Sequence, residues 1–241
     1  MNPDLFPMRI NKYLAFHGHA TRRGADDLIA SGKVRINDRI ARIGDKVEAK
    51  DTVTVTTSKS SRSYAYYAYH KPRGVITHSP QGSEKDIEHV LPKDLQKLGL
   101  FPVGRLDKAS HGLIILTNDG RVTDRLLSPT YSHDKEYHVT TKLPLRKSFK
   151  EHMEVGVNIE GYQTKPTSVR ILGDRSFLIT LTEGKKHQIR RMVVTLHNEV
   201  TDLKRVRILG IRLGTLGVGQ ARAIEGEELQ RFLASLNLPV N

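Results

Sequence analysis

Residues 101–117 read FPVGRLDKASHGLIILT, a polar loop followed directly by an apolar run. The run at 113–117 is short, partly β-branched and bounded by turn residues at 118–120, which is typical of a buried strand. The loop before it carries Arg105 and Asp107, which cannot both belong to a core. The sequence therefore predicts a carboxylate and a guanidinium on a loop held against a rigid strand, where catalytic groups are often found. The alternative is an ordinary pair of solvated loop charges.

The chain is strongly basic. It has 241 residues, a formal net charge of +13 at pH 7 and a pI near 9.9, and its Lys and Arg residues are spread along the whole length. This length allows one large domain or two smaller ones. A folded protein with this charge is most simply a binder of polyanions, nucleic acid first, the alternative being that the charge only keeps it soluble.

Several classes of protein are disfavoured by what the sequence lacks. It has no cysteine, which excludes disulfides, thiolate nucleophiles and cysteine-based zinc sites. It has no GK[ST] phosphate loop, no HExxH helix, no GxSxG elbow and no dinucleotide fingerprint after a strand. No stretch approaches the ~20 apolar residues of a membrane span, and the N-terminus lacks the pattern of a signal peptide. We therefore expect a cytoplasmic protein that contacts no membrane.

The first 56 residues predict a small module of two helices followed by short strands. Apolar residues recur at helical spacing over 8–16 and 22–31, and the segments 33–37 and 51–56 alternate as strands do. Six basic residues flank the helix pair and are predicted to contact an RNA backbone, with an ordinary solvated face as the alternative. These residues are Arg9, Lys12, Arg22, Arg23, Lys33 and Arg35.

A domain boundary is predicted by the run TSKSSRS at 57–63, which is polar, rich in serine and without periodicity. We therefore divide the chain into a first domain at 1–57, a linker at 58–63 and a second domain at 64–241. A flexible linker would let the first domain bind RNA while the second performs another task.

Two further segments of the second domain bring polar groups next to buried elements. The alternation over 135–140 places Tyr137 on one face of a strand. A helix with one buried stripe is predicted from Ile189, Met192, Val193 and Leu196. Arg190 flanks that stripe and could pair with a carboxylate, whereas Arg191 should face water or phosphate, the alternative being that both are solvated. The basic, alternating segment 204–208 predicts a strand that faces RNA.

The N-terminal segments resemble the αL RNA-binding module that is named for a small-subunit ribosomal protein. The match covers about residues 8–56. It rests on RINKYL at 9–14, TRR at 21–23, IASGKV at 29–34 and IGD at 43–45.

The second domain resembles the RsuA-type ribosomal-RNA pseudouridine synthases over about residues 64–235. The matching motifs are KP at 71–72, GRLD at 104–107, LTNDG at 116–120, KEY at 135–137, EG at 183–184 and HQIRRM at 187–192. The resemblance implies an α+β protein, in which the small αL domain is tethered to a catalytic domain built on a mixed, mainly antiparallel sheet flanked by helices. It also implies that uridine in ribosomal RNA is isomerised to pseudouridine with no metal and no cofactor.

The resemblance implies catalytic roles for three residues. Asp107 is the carboxylate that works at the sugar, either by attack or by proton abstraction, and the sequence leaves both routes open. Arg190 pairs with Asp107 and holds it ionised and aimed. Tyr137 stacks on the target base and takes part in the final proton removal.

Four further residues are implied to contact the substrate. Ile189 lies against the uracil as an apolar floor, and Arg105 fills the gap that the flipped uridine leaves in its stack. Lys71, which lies on a turn predicted over 70–74, and Arg191 complete the predicted substrate contacts.

The segment HDKEY at 133–137 looks closer to the large-subunit enzymes of this family. We therefore expect 23S rRNA as the substrate, either free or in a pre-ribosomal particle. We also expect the protein to be a monomer. The alternatives are a 16S rRNA pseudouridine synthase and a non-catalytic RNA-binding factor in ribosome assembly.

Overall fold

The computed structural model describes residues 6–17, 19–20, 22–56 and 64–239, with the backbone alone for Arg22, Arg23 and Pro129. The predicted linker at 58–63 lies outside these ranges. The N-terminal part contains two helices and five short strands. They are β1 (Met8–Arg9), α1 (Ile10–Phe16), α2 (Arg22–Ala30), β2 (Val34–Ile36), β3 (Arg39–Ile40), β4 (Lys46–Val47) and β5 (Val53–Val55).

The N-terminal strands pair antiparallel, as β3-β2-β5 and as β1-β4. The two helices bury one apolar stripe each against them, so that Ile10 and Leu14 meet Ala25 and Ile29 in one small core. The predicted helix pair followed by strands is therefore present, with the first helix beginning at Ile10 after a two-residue strand.

The remainder of the chain contains eleven strands and six helices within the described ranges. They are β6 (Tyr66–Lys71), α3 (Ile87–Val90), α4 (Lys93–Gln96), β7 (Phe101–Val103), β8 (His111–Thr117), α5 (Gly120–Leu127), β9 (Lys135–Thr141), α6 (Phe149–Glu154), β10 (Asn158–Ile159), β11 (Tyr162–Gln163), β12 (Ser168–Gly173), β13 (Ser176–Leu181), α7 (Gln188–Thr195), β14 (Val200–Ile208), β15 (Ile211–Arg212), β16 (Ala221–Ala223) and α8 (Gly226–Ser235). No helix among the described residues is long and apolar enough to cross a membrane.

Nine of these strands form one sheet in the order β12-β13-β9-β14-β8-β6-β16, with β7 paired to β8 and β15 paired to β14. Among the described strands of this sheet, β14 and β8 pair in parallel and every other pair is antiparallel. Helices cover it, so the predicted α+β class with a mixed, mainly antiparallel sheet flanked by helices is confirmed.

Strand β8 is buried on both faces. Leu113 and Ile115 pack with α5 and α8, whereas Ile114 and Leu116 pack with α3 and α4. A strand covered on both sides has no solvated face, which is why its sequence is a continuous apolar run rather than an alternation. The loop at 104–110 is thus attached to the most buried strand of the sheet.

One local prediction needs correction. The sequence pattern places a turn from His70 onward, but β6 continues through Lys71, which pairs with Gly112 of β8. The chain turns after Lys71, with Gly74 at φ 81°. Lys71 therefore lies inside the sheet and not on an exposed turn.

The N-terminal domain contacts the second domain through α1 and α5. Lys12 Nζ lies 3.5 Å from Asp124 Oδ2. The helices lie close together at Gly120, the first residue of α5, where a Cβ would be in ordinary van der Waals contact with the Cβ of Ala15 at 3.6 Å. Lys12, predicted to contact RNA, therefore forms an ion pair between the two domains.

Candidate active site

The loop that carries Asp107 is fixed through its main chain. Five of its carbonyl oxygens accept hydrogen bonds from other segments of the protein. The donors are Arg205 Nη1 to Arg105 O (3.4 Å), Thr77 Oγ1 to Leu106 O (2.9 Å), Lys71 Nζ to Asp107 O (3.2 Å) and to Ser110 O (2.8 Å), and Gly74 N to Lys108 O (2.8 Å). Because these bonds use the main chain, they hold the loop without engaging the carboxylate of Asp107.

Lys71 is the central donor of this arrangement. Its side chain is fully buried, and its ammonium group donates three hydrogen bonds, all to carbonyl oxygens, the third being Pro72 O at 3.0 Å. Burial lowers the pKa of Lys71 to about 8, against the opposing effect of the nearby Asp107 charge. In this structure Lys71 has no exposed surface and its ammonium holds the loop, so the structure gives it a positioning role, and its predicted substrate contact stays a prediction.

Asp107 opens into a cleft of about 760 Å³. Its side chain is 38 % exposed, and its Oδ1 lies 3.4 Å from Nε2 of His187. Tyr137 and Ile189 line the same cleft. A volume of this size falls in the usual range of ligand sites, and a carboxylate, an aromatic ring and an apolar side chain surround it.

Two further predicted residues lie around this cleft. Ile189 is buried at the start of α7, where packing holds its side chain, and it presents an apolar surface to the cleft. Arg105 is exposed and lines the cleft next to Asp107. The structure thus brings together four of the seven residues predicted for catalysis and substrate contact, namely Asp107, Tyr137, Ile189 and Arg105.

The predicted ion pair between Asp107 and Arg190 is not formed within the described part of the chain. Arg190 Nη2 donates instead to Ser110 Oγ at 3.3 Å, and Nη1 donates to Val200 O at 3.2 Å. Ser110 is fully buried and belongs to the loop of Asp107. Arg190 therefore reaches the loop three residues beyond the carboxylate with which the family resemblance pairs it.

Arg191 also differs from its prediction. It lies outside the cleft, where its Nη2 donates to Ile159 O at 3.0 Å and pairs with Glu160 at 2.7 Å. The predicted substrate contact is corrected to an anchor between α7 and the β10–β11 hairpin. Helical spacing predicts that Arg191 faces away from the buried stripe, towards water or phosphate. Spacing within the helix cannot show that the β10–β11 hairpin covers that side.

The basic residues of the N-terminal domain divide into three groups. Arg9, Lys33 and Arg35 are exposed and available to a phosphate backbone. Lys12 is engaged with Asp124. The side chains of Arg22 and Arg23 lie outside the described part of the structure.

Three polar residues of the cleft were not assigned a role from the sequence. His187 approaches Asp107 from the loop before α7, and nothing in its spacing signals that contact. Lys135 lines the cleft, and burial together with the charge of Arg205 lowers its pKa. Arg205 is the most deeply buried of the three, at 3 % exposure. Its position could have been found, since alternation along β14 puts Arg205 on the same face as the buried Leu203.

Among the described residues, no group of three or more histidine or carboxylate side chains is placed to hold a metal ion. The polar side chains of the cleft include the carboxylate of Asp107, the imidazole of His187, the phenol of Tyr137 and several cations.

Comparison with known proteins defines the class. The profile of the family described as RNA pseudouridylate synthase matches residues 65–194, and that of the S4 domain matches residues 8–53. The chain therefore belongs to the RNA pseudouridylate synthase family, whose members convert uridine in RNA to pseudouridine, and carries an N-terminal S4 domain. The predicted family, enzyme class and RNA-binding module are confirmed.

Individual relatives match over nearly the whole chain. The dual-specificity RNA pseudouridine synthase RluF of Escherichia coli (strain K12) is 36% identical over 233 residues, covering 95% of this chain and 79% of that protein. Ribosomal large subunit pseudouridine synthase B of Bacillus subtilis (strain 168) is 33% identical, covering 94% of this chain and 96% of that protein. A crystal structure of a pseudouridylate synthase superposes with a TM-score of 0.69 at 28% identity, covering 93% of this chain and 99% of the other.

Proposed function

We propose that this protein isomerises a specific uridine of ribosomal RNA, in the 23S molecule, and that Asp107 is the catalytic carboxylate. The observation that carries the proposal is Asp107 itself. It stands on a loop fixed through its main chain, and it opens into a cleft that also presents Tyr137 and Ile189. The relative named for the large ribosomal subunit, which aligns with nearly the whole chain, supports the choice of substrate.

Each group of the cleft has a task in this reaction. The flipped uracil lies between the ring of Tyr137 and the side chain of Ile189, which replace the stacking that it loses in the RNA. The ribose then faces Asp107, which attacks C1′ or removes a proton from the sugar. Arg105, exposed at the cleft, occupies the vacated place in the RNA stack.

Arg190 acts on this reaction through the loop. Its contact with the buried Ser110 Oγ stabilises the chain that carries Asp107. We therefore assign Arg190 as a positioning residue. In the substrate complex a movement of the two side chains would also allow the direct ion pair that the family resemblance implies.

The basic surface binds the RNA that surrounds the target. Arg9, Lys33 and Arg35 are exposed on the S4 domain, and α5 joins that domain to the catalytic cleft, since Leu126 and Leu127 of α5 line it. An RNA held by the S4 domain is thereby presented near Asp107. A monomer acting in the cytoplasm, on free rRNA or on a pre-ribosomal particle, fits this arrangement.

Pseudouridine mapping of rRNA from a strain that lacks this protein tests the proposal. We expect one 23S position, or a few neighbouring ones, to lose its pseudouridine and to regain it with the wild-type gene but not with Asp107→Asn. A lost site in 16S rRNA would replace the proposed substrate by the small-subunit alternative. An unchanged map of both molecules would overturn ribosomal RNA as the substrate.

A further inference from the structure

Arg205 is a buried cation without a carboxylate partner. Its guanidinium uses Nε to donate to Leu113 O at 2.7 Å and Nη1 to donate more weakly to Arg105 O at 3.4 Å. Within the described residues no acidic side chain forms an ion pair with it, and Nη2 has no hydrogen-bond partner. Buried arginines are normally paired, because an unpaired buried charge is costly. This cost indicates that the guanidinium has a partner in another state of the protein.

The main chain at Arg205 lies unusually close to that of β8. Arg205 pairs in parallel with Gly112, and a Cβ at Gly112 would lie only 2.3 Å from the carbonyl oxygen of Arg205. Gly112 also has φ 107°, a conformation that favours glycine. The glycine that precedes the apolar run thus permits the close approach of β14 that places Arg205 behind the loop of Asp107.

Arg205 still has donors to offer on this wall of the cleft. It lines the cleft, with its Cζ 6.0 Å from the centre of the Tyr137 ring. Two other cations lie near it. The ammonium of Lys71 donates to three carbonyl oxygens, and that of Lys135 donates one hydrogen bond, to His133 O at 3.0 Å. Arg205 is distinguished from both by its contact with the Tyr137 ring and by a buried Nη2 without a hydrogen-bond partner. The two hydrogens on Nη2 of Arg205 remain for an acceptor that enters the cleft.

The isomerisation produces an acceptor that matches this charge. When N1–C1′ breaks, its electron pair goes to the base, whether Asp107 has formed a bond to C1′ or has taken a proton from the sugar. In both cases the base becomes a uracil anion, with its charge shared among N1, O2 and O4. The anion is consumed when C5 bonds to C1′, as the bond from Asp107 to C1′ breaks or as Asp107 returns the proton to the sugar. The hydrogen on C5 then leaves as a proton and N1 takes one up. Cleavage of N1–C1′ thereby passes the negative charge of the ionised carboxylate to the base, and a fixed cation beside the base lowers the barrier to this step.

We propose that Arg205 stabilises the departing uracil anion, with Nη2 donating to a carbonyl oxygen of the base. The proposal rests on the cleft being the uridine site. Nη2 is closed off from solvent in the free protein, so the contact forms as the base enters beside Tyr137. In a site from which water is excluded, the attraction between the guanidinium and the developing anion is stronger than in water.

A matched pair of variants separates this role from a general loss of positive charge. Arg205→Gln removes the buried cation, and Arg231→Gln removes an exposed cation on α8 that lies outside the cleft and pairs with Glu227 at 3.2 Å. The measurement is single-turnover release of the C5 hydrogen from tritiated target RNA at saturating protein, together with the Kd for that RNA. We expect Arg205→Gln to lower the rate by at least about 100-fold with Kd changed less than about threefold. Arg231→Gln should leave both nearly unchanged.

A second measurement uses the wild-type protein and changes the base, so that it does not depend on a variant that folds. Target RNA is prepared with 2-thiouridine or with 4-thiouridine, because sulfur accepts hydrogen bonds more weakly than oxygen. We expect one of the two to slow the wild-type reaction, which identifies the oxygen that Nη2 contacts. In Arg205→Gln, if it folds, that difference between oxygen and sulfur should disappear.

Three outcomes would overturn the role of Arg205 while leaving the enzyme assignment intact. They are full activity of a folded Arg205→Gln, a loss explained entirely by weaker RNA binding, and a wild-type rate that neither thio substitution reduces. Absence of hydrogen release by the wild-type protein from every ribosomal RNA would instead contradict the proposed function itself.

Discussion

The main chain at Asp107 is held by hydrogen bonds, whereas its carboxylate is partly exposed in the cleft. Its main-chain oxygen accepts hydrogen bonds from Lys71 at 3.2 Å and from the backbone of Ser110 at 3.0 Å. Its carboxylate stays 38 % exposed. At the residue scale the site is therefore preorganised by main-chain contacts, and substitutions of the Asp107 side chain should leave the loop in place.

Lys71 provides a pH test of this arrangement. Burial lowers its pKa to about 8 in the folded protein, whereas an unfolded lysine titrates near ~10.4. Between these values the unfolded chain holds a proton that the folded chain does not, so the contribution of Lys71 to stability rises with pH. We expect the free energy of unfolding of the wild type, relative to Lys71→Met, to increase by up to about 3 kcal/mol between about pH 8 and 10.5.

Urea unfolding of both proteins across this range gives the difference. Lys142→Met, which removes an exposed lysine paired only with an exposed glutamate, serves as the control. A difference between wild type and Lys71→Met that stays constant or falls over the window would contradict the buried, charged state assigned to Lys71.

At the scale of elements, the sequence predicted what depends on local pattern. The buried strand at 113–117 and the helix with Ile189, Met192 and Val193 inward are both present, because burial on one or two faces leaves a direct trace in the order of apolar residues. The resemblance supplied the family and the candidate aspartate.

What the sequence did not predict depends on long-range pairing. The sequence pattern predicts a turn over 70–74, although Lys71 ends a central strand. The family resemblance implies that Arg190 pairs with Asp107, whereas in this structure its acceptor is the buried Ser110, which no local pattern indicates. Arg205 is about a hundred residues from the loop whose carbonyl it contacts, and the parallel pairing of β14 with β8 has no local signature. Contacts of this kind depend on the order of the strands in the sheet, which a short stretch of sequence does not show.

The close approach of β14 to β8 yields a prediction at this scale. Gly112→Ala would put a methyl group 2.3 Å from the carbonyl oxygen of Arg205 at a φ of 107°, so the strands must separate. We expect a loss of roughly 3 kcal/mol or more in the free energy of unfolding, with loss of activity. Gly99→Ala is the matched control, because Gly99 also has a positive φ of 64° but has open space around it, so about 1 kcal/mol is expected there. Equal effects of the two substitutions, measured by denaturant unfolding, would contradict the close pairing.

At the scale of the whole molecule, a chain of net charge +13 combines an S4 domain with a pseudouridylate synthase domain. The ion pair of Lys12 with Asp124 and the contact of Ala15 with Gly120 join these parts. The sequence predicted two domains and a basic N-terminal surface, but it could not predict that one of the basic residues joins the domains.

The exposed basic residues of the S4 domain should act on binding and not on the chemical step. We expect the combined change of Arg9, Lys33 and Arg35 to Gln to weaken RNA binding and to reduce the slope of log K against log salt by about 2 to 3. The single-turnover rate at saturating RNA should stay within about threefold of the wild type. The control replaces Arg146, Lys147 and Arg170, which are exposed on the catalytic domain. A salt slope that falls as much in the control as in the S4-domain variant would show that the domain has no special part in binding.

The catalytic role of Asp107 is tested most directly by hydrogen release from C5-tritiated 23S rRNA with purified Asp107→Asn at saturating protein. The amide is close in shape to the carboxylate, and the main-chain bonds that hold the loop do not involve it. We predict unchanged melting temperature, RNA affinity within about threefold of the wild type, and a rate lower by roughly four orders of magnitude or more. A folded Asp107→Asn that releases hydrogen within about tenfold of the wild-type rate would contradict the account.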